Sequence, residues 1–338
     1  MAETFTRRLG RSGIEVSALG MGCWAIGGQW TFNGGPGGWG QVDDAESLRA
    51  LRRARELGVT FFDTAANYGA GHSERLVGEA FRGHRDEVVI ATKFGYAVDE
   101  NTKQVWPYDG AEDDSDVAAR LRADLTASLR RLGTDYVDVY LLHVWGLRTE
   151  RALAAREVLD ELVAQGKVRT YGWSTDRADA VRAFATSPAC SVVEQGLSVL
   201  DDGPEMLALC DELDLASVNR SPLGMGLLTG KFAPGSTFAA DDVRHAAQWH
   251  PGFADGRPTA EWLARLAAIR EVLTSGGRTV AQGALAWIWA RSPQTVPIPG
   301  FRTVQQVEEN CGALATGPLT ERQLAEINTI LERTPVAG

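Results

Sequence analysis

A closed (β/α)₈ barrel, the TIM-barrel arrangement within the α/β class, is the fold predicted by three features of the sequence. Eight apolar strand-like runs each precede helix-like sequence, the runs are near-continuously apolar, and neither tandem hairpins nor a Pro/Gly linker divides the chain. An open doubly wound sheet is the other parallel arrangement that these features allow. The 338 residues exceed the ~150 of a usual domain but suit one barrel of roughly 250 residues with insertions, so residues 1–338 are read as a single domain.

The units follow one another without interruption. VSALGMG (16–22) leads to DAESLRALRRARELG (44–58), and VTFFDTA (59–65) leads to SERLVGEAF (73–81). VVIATK (88–93) precedes DVAARLRADLTASLRRLG (116–133), whose amphipathic spacing is stopped by Gly133. YVDVYLLH (136–143) precedes RALAAREVLDELVAQG (151–166), VRTYGWST (168–175) precedes RADAVRAFA (177–185), and SVVEQ (191–195) precedes PEMLALCDEL (204–213). LASVNRSPL (215–223) and QTVPIPG (294–300) complete the eight, each followed by helix-like sequence after a loop. Outside the alternation, TFTRRLGRSGIEV (4–16) reads as a short N-terminal β-hairpin turning at Ser12-Gly13. Residues 231–258 form a long loop after strand 7, and a helical extension closes the C-terminus. Trp287 and Trp289, in AQGALAWIWA, have helical spacing and belong to the core.

Composition bounds the function. With 44% hydrophobic and 23% charged residues the chain is an ordinary globular protein. A formal net charge of −10 without a basic block argues against nucleic acid or an anionic membrane as partner. Cys23, Cys190, Cys210 and Cys311 show neither CxxC nor zinc-like spacing, so no disulfide framework and no metal is expected. MAETFTRRLGRSG has no apolar signal region and no run approaches ~20 apolar residues, which leads us to expect a cytoplasmic protein. GMGCWA (20–25) imitates a dinucleotide fingerprint, yet IGGQWTFNGGPGGWG (26–40) is too Gly-rich to be the helix that fingerprint needs, and a Rossmann reading is rejected.

In a parallel barrel all strand C-termini reach one rim, so residues remote in sequence converge there. These ends are Gly22-Cys23-Trp24, Asp63, Lys93, His143, Ser174-Thr175, Gln195, Asn219-Arg220 and Pro299-Gly300. FFDTAANY (61–68) ends a buried run on a carboxylate, which needs a cationic or hydrogen-bonding partner, and Lys93 can supply it. A cation near the Tyr68 phenol favours the phenolate, lowering its pKa from ~10 and making Tyr68 a usable general acid. His143 can hydrogen-bond a substrate oxygen or assist proton transfer. Asp63 and Lys93 alone would serve equally as a structural ion pair; Tyr68 and His143 at matching strand ends favour catalysis.

FFDTAANYG, VIATKFG, DYVDVYLLH, YGWST, RSPLGMGLLTGKF and VPIPGFRTVQQVEEN, in this order and over nearly the whole chain, resemble the aldo-keto reductase superfamily. The resemblance implies a (β/α)₈ barrel with an extended nicotinamide cofactor at the strand C-terminal rim. It also implies NADPH-dependent reduction of an aldehyde or ketone to an alcohol by hydride transfer. Position by position, Tyr68 becomes the proton donor, Lys93 and Asp63 its tuning pair, and His143 the residue that orients the carbonyl. Ser174, Thr175 and Gln195 fall where the carboxamide is held, Arg220 where an aromatic usually stacks on the ring, and Ser221, Leu223 and Gly224 on the loop over the pyrophosphate. Gly300, Arg302, Thr303, Gln306, Glu309 and Asn310 match the segment that receives the adenosine end. Arg302 suits a 2′-phosphate and so NADP(H), while Gln306 stands where a second Arg is common and weakens discrimination against NAD(H). Thr175 and Glu194 replace commoner Asn residues, and Val144-Trp145 follow the His.

Substrate contacts are expected from a flexible aromatic wall bearing Trp24, Trp30, Phe32 and Trp39, with Trp145 beside it; HPGFADGRPTAEW (250–262) reads either as a further part of that wall or as a mere connection, and a bare surface loop is the alternative for the Gly-rich stretch. A dehydrogenase acting on sugars or alcohols in the oxidative direction, and a cofactor-sensing subunit like those of potassium channels, are the other readings of the same resemblance. The physiological substrate and the oligomeric state are not encoded in these motifs.

Overall fold

The computed structural model describes residues 5–108, 116–144, 146–247 and 249–333. Eight parallel strands form one sheet in sequence order: β1 (Gly20–Gly22), β2 (Phe61–Asp63), β3 (Val89–Phe94), β4 (Val137–Leu142), β5 (Val168–Ser174), β6 (Cys190–Gly196), β7 (Ala216–Arg220) and β8 (Thr295–Pro297). A parallel bridge between Gly22 and Gly300 joins the last strand to the first, with the Gly22 N–H donating to Pro299 O at 3.0 Å. An open sheet would leave both edges unpaired. The ring is therefore a barrel.

Outside it lie α1 (Asp44–Glu56), α2 (His72–Ala80), α3 (Val117–Leu132), α4 (Thr149–Ala164), α5 (Ala178–Phe184), α6 (Pro204–Leu213), α7 (Ala260–Thr274) and α8 (Val280–Arg291), followed by α9 (Val304–Gly312) and α10 (Glu321–Ile330). Their ends follow local chemistry. Asp43 accepts from the Ala45 and Glu46 N–H groups at the start of α1, and Gly133, at φ 66°, ends α3. One apolar layer fills the space between strands and helices and includes the fully buried Trp287. A second fills the barrel, where Phe61, Ala91, Val192 and Val218 pack together. Side chains two residues further along share the inward face, so Asp63, Lys93, Glu194 and Arg220 form the next layer towards the C-terminal rim.

Three expectations change. The run 16–22 is two elements: Glu15–Ser17 pairs antiparallel with Thr6–Arg8, and only Gly20–Gly22 enters the barrel. Ser17 makes the break, donating its hydroxyl to Leu19 O at 2.6 Å while its N–H bonds Thr60 Oγ1. The hairpin, turning through Gly10–Ser12 and the left-handed Gly13, supplies Leu9, Ile14 and Val16 to the barrel's inner core. The Gly-rich stretch, expected as a flexible aromatic wall or else a bare surface loop, contains paired strands. Thr31–Phe32 pairs with Gly35–Pro36 and with Gln104-Val105, and Gln104–Pro107 pairs with Tyr96–Asp99. Asn33 and Gly34, at φ 48° and 80°, form the two-residue hairpin turn that an Asn-Gly pair favours. Finally, the segment after β7 carries a helical turn at Val243–His245 and a small hairpin, Phe253–Ala254 with Arg257–Pro258. β1 leads into a single 3₁₀ turn, Ala25–Gly27, and, as expected, not into a Rossmann helix.

A Cβ on Gly22 would stand 2.7 Å from Ile298 O, inside the seam that closes the barrel. Gly22→Ala should cost about 1–3 kcal/mol, lowering the urea midpoint without changing the slope. Gly35→Ala, whose nearest neighbour is 3.6 Å away, should stay within about 0.5 kcal/mol.

Candidate active site

Asp63 closes β2, Lys93 sits near the end of β3, and His143 follows β4 directly. Tyr68 lies in the turn between β2 and α2. That turn is pinned: Ser73 donates its hydroxyl to Cys23 O, and Gly69, at φ 63°, approaches Gly27 too closely for any side chain. Lys93 Nζ donates to Asp63 Oδ1 and Oδ2 at 2.6 and 2.7 Å, to Thr64 O at 3.1 Å and to Tyr68 Oη at 3.2 Å. A second carboxylate, Glu194 Oε2, stands 3.3 Å from the same ammonium. Lys93, Asp63 and Glu194 are at most 2% exposed. His143 meets the Tyr68 ring edge-on at 5.8 Å and donates from Nδ1 to Asn67 Oδ1 at 3.1 Å, leaving Nε2 as the ring's acceptor.

Burial decides most of the titration. It would lower the Lys93 pKa, but the charges of Asp63 and Glu194 overcome it and hold the ammonium above its ordinary value. Asp63 is kept well above the usual carboxylate range by burial and by the Glu194 charge, against the pull of Lys93. The Tyr68 phenol corrects our expectation. Lys93 does draw it down, yet burial, helped by Asp63 and Glu194, wins, and the phenol is raised. His143 falls well below its normal value through burial and the nearby charges of Lys93 and Arg220, so the ring is neutral. At neutral pH the mouth thus presents a protonated phenol, an ammonium and a neutral imidazole.

Other expected residues surround this centre. Ser174 donates its hydroxyl to Glu194 Oε1 at 3.2 Å, Thr175 Oγ1 accepts from the Arg177 N–H, and Gln195 Nε2 is tied to Ser217 Oγ at 2.7 Å. Arg220 is paired with Asp176. Ser221, Gly224 and Met225 all have positive φ, an unusual strain for two non-glycine residues in one loop that also contains Leu223. Gly300 faces Gly22 across the seam. Arg302 donates to Trp39 O at 3.0 Å and to Gln41 O, and Gln306 Oε1 accepts from the Arg302 N–H. Thr303 caps α9, Glu309 O accepts from Gln282, and buried Asn310 has an amide nitrogen without a protein partner.

Trp24 stacks over Tyr68 at 6.0 Å and meets Trp39 edge-on at 5.1 Å, and Trp30 packs with Tyr68 and Val105. Trp39 also lies under the Arg244 guanidinium, which links the aromatic wall to the segment after β7. Trp145 lies outside the described residues. Sequence reasoning missed Asn67, Tyr96, whose ring stands 5.8 Å from His143, and the inward aim of Glu194. The last was readable, since Glu194 is two residues beyond Val192 on one strand. Among the described residues, no group of His, Cys, Asp or Glu could hold a metal, and no helix is long and apolar enough to cross a membrane.

A family model described as the aldo/keto reductase family matches residues 18–332. The chain is 31% identical over 334 residues to the aldo-keto reductase YhdN of Bacillus subtilis (strain 168), covering 96% of this chain and 92% of that protein. It superposes with a TM-score of 0.80, at 26% identity, on a glycerol dehydrogenase from Gluconobacter oxydans, covering 100% of this chain and 98% of the other. An aldo/keto reductase from Klebsiella pneumoniae in complex with NADP and acetate gives a TM-score of 0.71 at 26% identity, covering 99% and 98%.

Lys93→Met would leave two buried carboxyls without their cation and should destabilise the fold by about 3–5 kcal/mol at pH 8. Asp63 already titrates above its unfolded value, and losing Lys93 raises it further. The folded variant therefore binds more protons than the unfolded chain, and stability returns as pH falls through the folded pKa. Urea denaturation at pH 8 and pH 5.5 should show the smaller loss at pH 5.5.

Proposed function

The chain belongs to the aldo/keto reductase family of oxidoreductases, and from that premise we propose that it reduces an aldehyde or ketone to an alcohol with NADPH. The observation that carries this reading is the single ammonium of Lys93, within hydrogen-bond reach of both Asp63 and Tyr68 in a buried barrel mouth. The complex of the Klebsiella pneumoniae relative with NADP supports the choice of cofactor.

The residues present fit a dinucleotide. The unpartnered Asn310 amide nitrogen on α9, the strained loop at 221–225 and the guanidinium of Arg302 offer a buried donor, a shaped backbone and a cation along one side of the mouth. Ser174, Thr175, Gln195 and Arg220 would hold the nicotinamide end, and Ser221, Leu223 and Gly224 the pyrophosphate. Gly300, Arg302, Thr303, Gln306, Glu309 and Asn310 would hold the adenosine end. When bound, the nicotinamide supplies the hydride.

The chain's own part is proton management. Tyr68 enters protonated, because its phenol is raised, and gives its proton to the carbonyl oxygen as negative charge develops there. Lys93, 3.2 Å away and held protonated by Asp63 and Glu194, stabilises the phenolate left behind. Neutral His143, oriented by Asn67, has Nε2 as its acceptor and so holds the hydroxyl of the alcohol rather than the carbonyl oxygen, which has no proton to donate. Trp24, Trp30, Trp39 and Tyr96 would wall the substrate and limit water. The likeness to a glycerol dehydrogenase supports a second reading, oxidation of an alcohol by the same groups in reverse, with Tyr68 as the base.

Tyr68→Phe keeps the ring and removes the proton, so turnover should fall by about 10²–10⁴ while NADPH affinity is retained; unchanged turnover excludes this assignment. Arg302→Ala should weaken NADP⁺ binding at least about tenfold and leave NAD⁺ binding nearly unchanged, as read by fluorescence titration.

A further inference from the structure

β6 delivers to the mouth one chemically capable side chain that the scheme above uses only as background. Glu194 is 1% exposed, its Oε1 accepts from Ser174, and its Oε2 makes no hydrogen bond although it stands 3.3 Å from Lys93 Nζ. The groups facing this cluster come from every neighbouring element. β1 leads to Cys23, a buried thiol; β2 and its turn bring Asp63 and Tyr68; β3 brings Lys93; β4 leads to neutral His143; β7 brings Arg220, whose charge is engaged by Asp176. Two carboxyl groups therefore share one buried ammonium. The cluster is one positive charge short, and an uncompensated buried charge is strongly unfavourable.

Resting on the cofactor reading above, we propose that Glu194 makes the mouth a site whose missing positive charge is a proton while the nicotinamide ring is neutral and the ring itself when it is cationic. Binding oxidised cofactor then expels a proton that reduced cofactor leaves in place. The balance is simple: the O–H bond of Asp63 breaks, the proton passes to solvent, and the pyridinium replaces its charge. The hydrogen bond from Ser174 to Glu194 sets the carboxylate one contact away from the residue expected to hold the carboxamide. Asp63 already keeps its proton above the usual range, because burial and the neighbouring Glu194 outweigh the one ammonium. Glu194 is thus a positioning residue, acting on the ring's charge and on Lys93 through space.

Isothermal titration of NADP⁺ and of NADPH into the wild-type protein at pH 7, in two buffers of different ionisation enthalpy, counts the protons released. The 2′-phosphate is common to both cofactors, so its contribution cancels in the difference. We expect NADP⁺ to release about one proton more than NADPH. Glu194→Gln and Glu194→Asn should abolish the difference and weaken NADP⁺ relative to NADPH by about tenfold, within the usual range of coupling between charges that share a site. Equal proton release for the two cofactors in the wild type overturns the proposal without any variant, as does a difference that survives both substitutions. If neither cofactor binds, the cofactor reading itself fails with it.

Discussion

A lysine ammonium taken wholly out of water is the constraint around which this molecule is arranged. Burial alone would drive Lys93 to give up its proton, and only the carboxylates of Asp63 and Glu194 keep it charged. Removing an ion from water costs several kcal/mol even after relaxation, so the site can persist only where its partners are fixed in position. The barrel fixes them. β2, β3 and β6 each carry one member of the cluster towards the same rim, and the strand pairings of the closed sheet hold these strands in place.

The phenol depends on the same ion in a less obvious way. A lysine beside a tyrosine invites the inference that the tyrosine becomes acidic, and that inference considers one neighbour where the structure has several. Burial and two carboxylates act against Lys93, and Tyr68 ends above its ordinary range. This suits the proton-donor role proposed for Tyr68: the phenol stays loaded at neutral pH, and on that proposal the ammonium would matter most once the proton has left, when phenolate and lysine would face each other in a medium of low dielectric.

What could be read from the sequence, and what could not, divides along the range of the interactions involved. Near-continuous apolar runs alternating with 3.6-period helices point to a parallel sheet covered on both faces, closed as a barrel or open, and strand ends then locate Asp63, Lys93 and His143. The split of residues 16–22 was hidden, since Ser17 breaks the run through bonds to Leu19 and Thr60 that no local pattern announces. The hairpin in the Gly-rich stretch was announced by Asn33-Gly34 but masked by the many glycines around it. Arg302 shows the limit in another form. The resemblance placed it in the segment expected to receive the adenosine end, while its contacts with Trp39 O and Gln41 O, more than two hundred residues away, depend on the closed ring.

Glu194 is the most instructive residue in this respect. Its identity was noticed only as a departure beside Gln195, whereas its address follows from counting along β6: Val192 lies in the barrel's inner core, and the next inward position is one layer nearer the rim. The apolar layer beneath, built from Phe61, Ala91, Val192 and Val218, keeps water from the floor of the mouth. A dry floor gives every charge above it a longer reach, which is why one additional carboxylate, a few ångströms from Lys93, alters the balance of Asp63, Tyr68 and the ammonium together. Electrostatic tuning in this barrel is thus set by the packing of the layer below the polar one, and a change at Val192 or Ala91 that admits water would weaken the coupling without touching any polar atom.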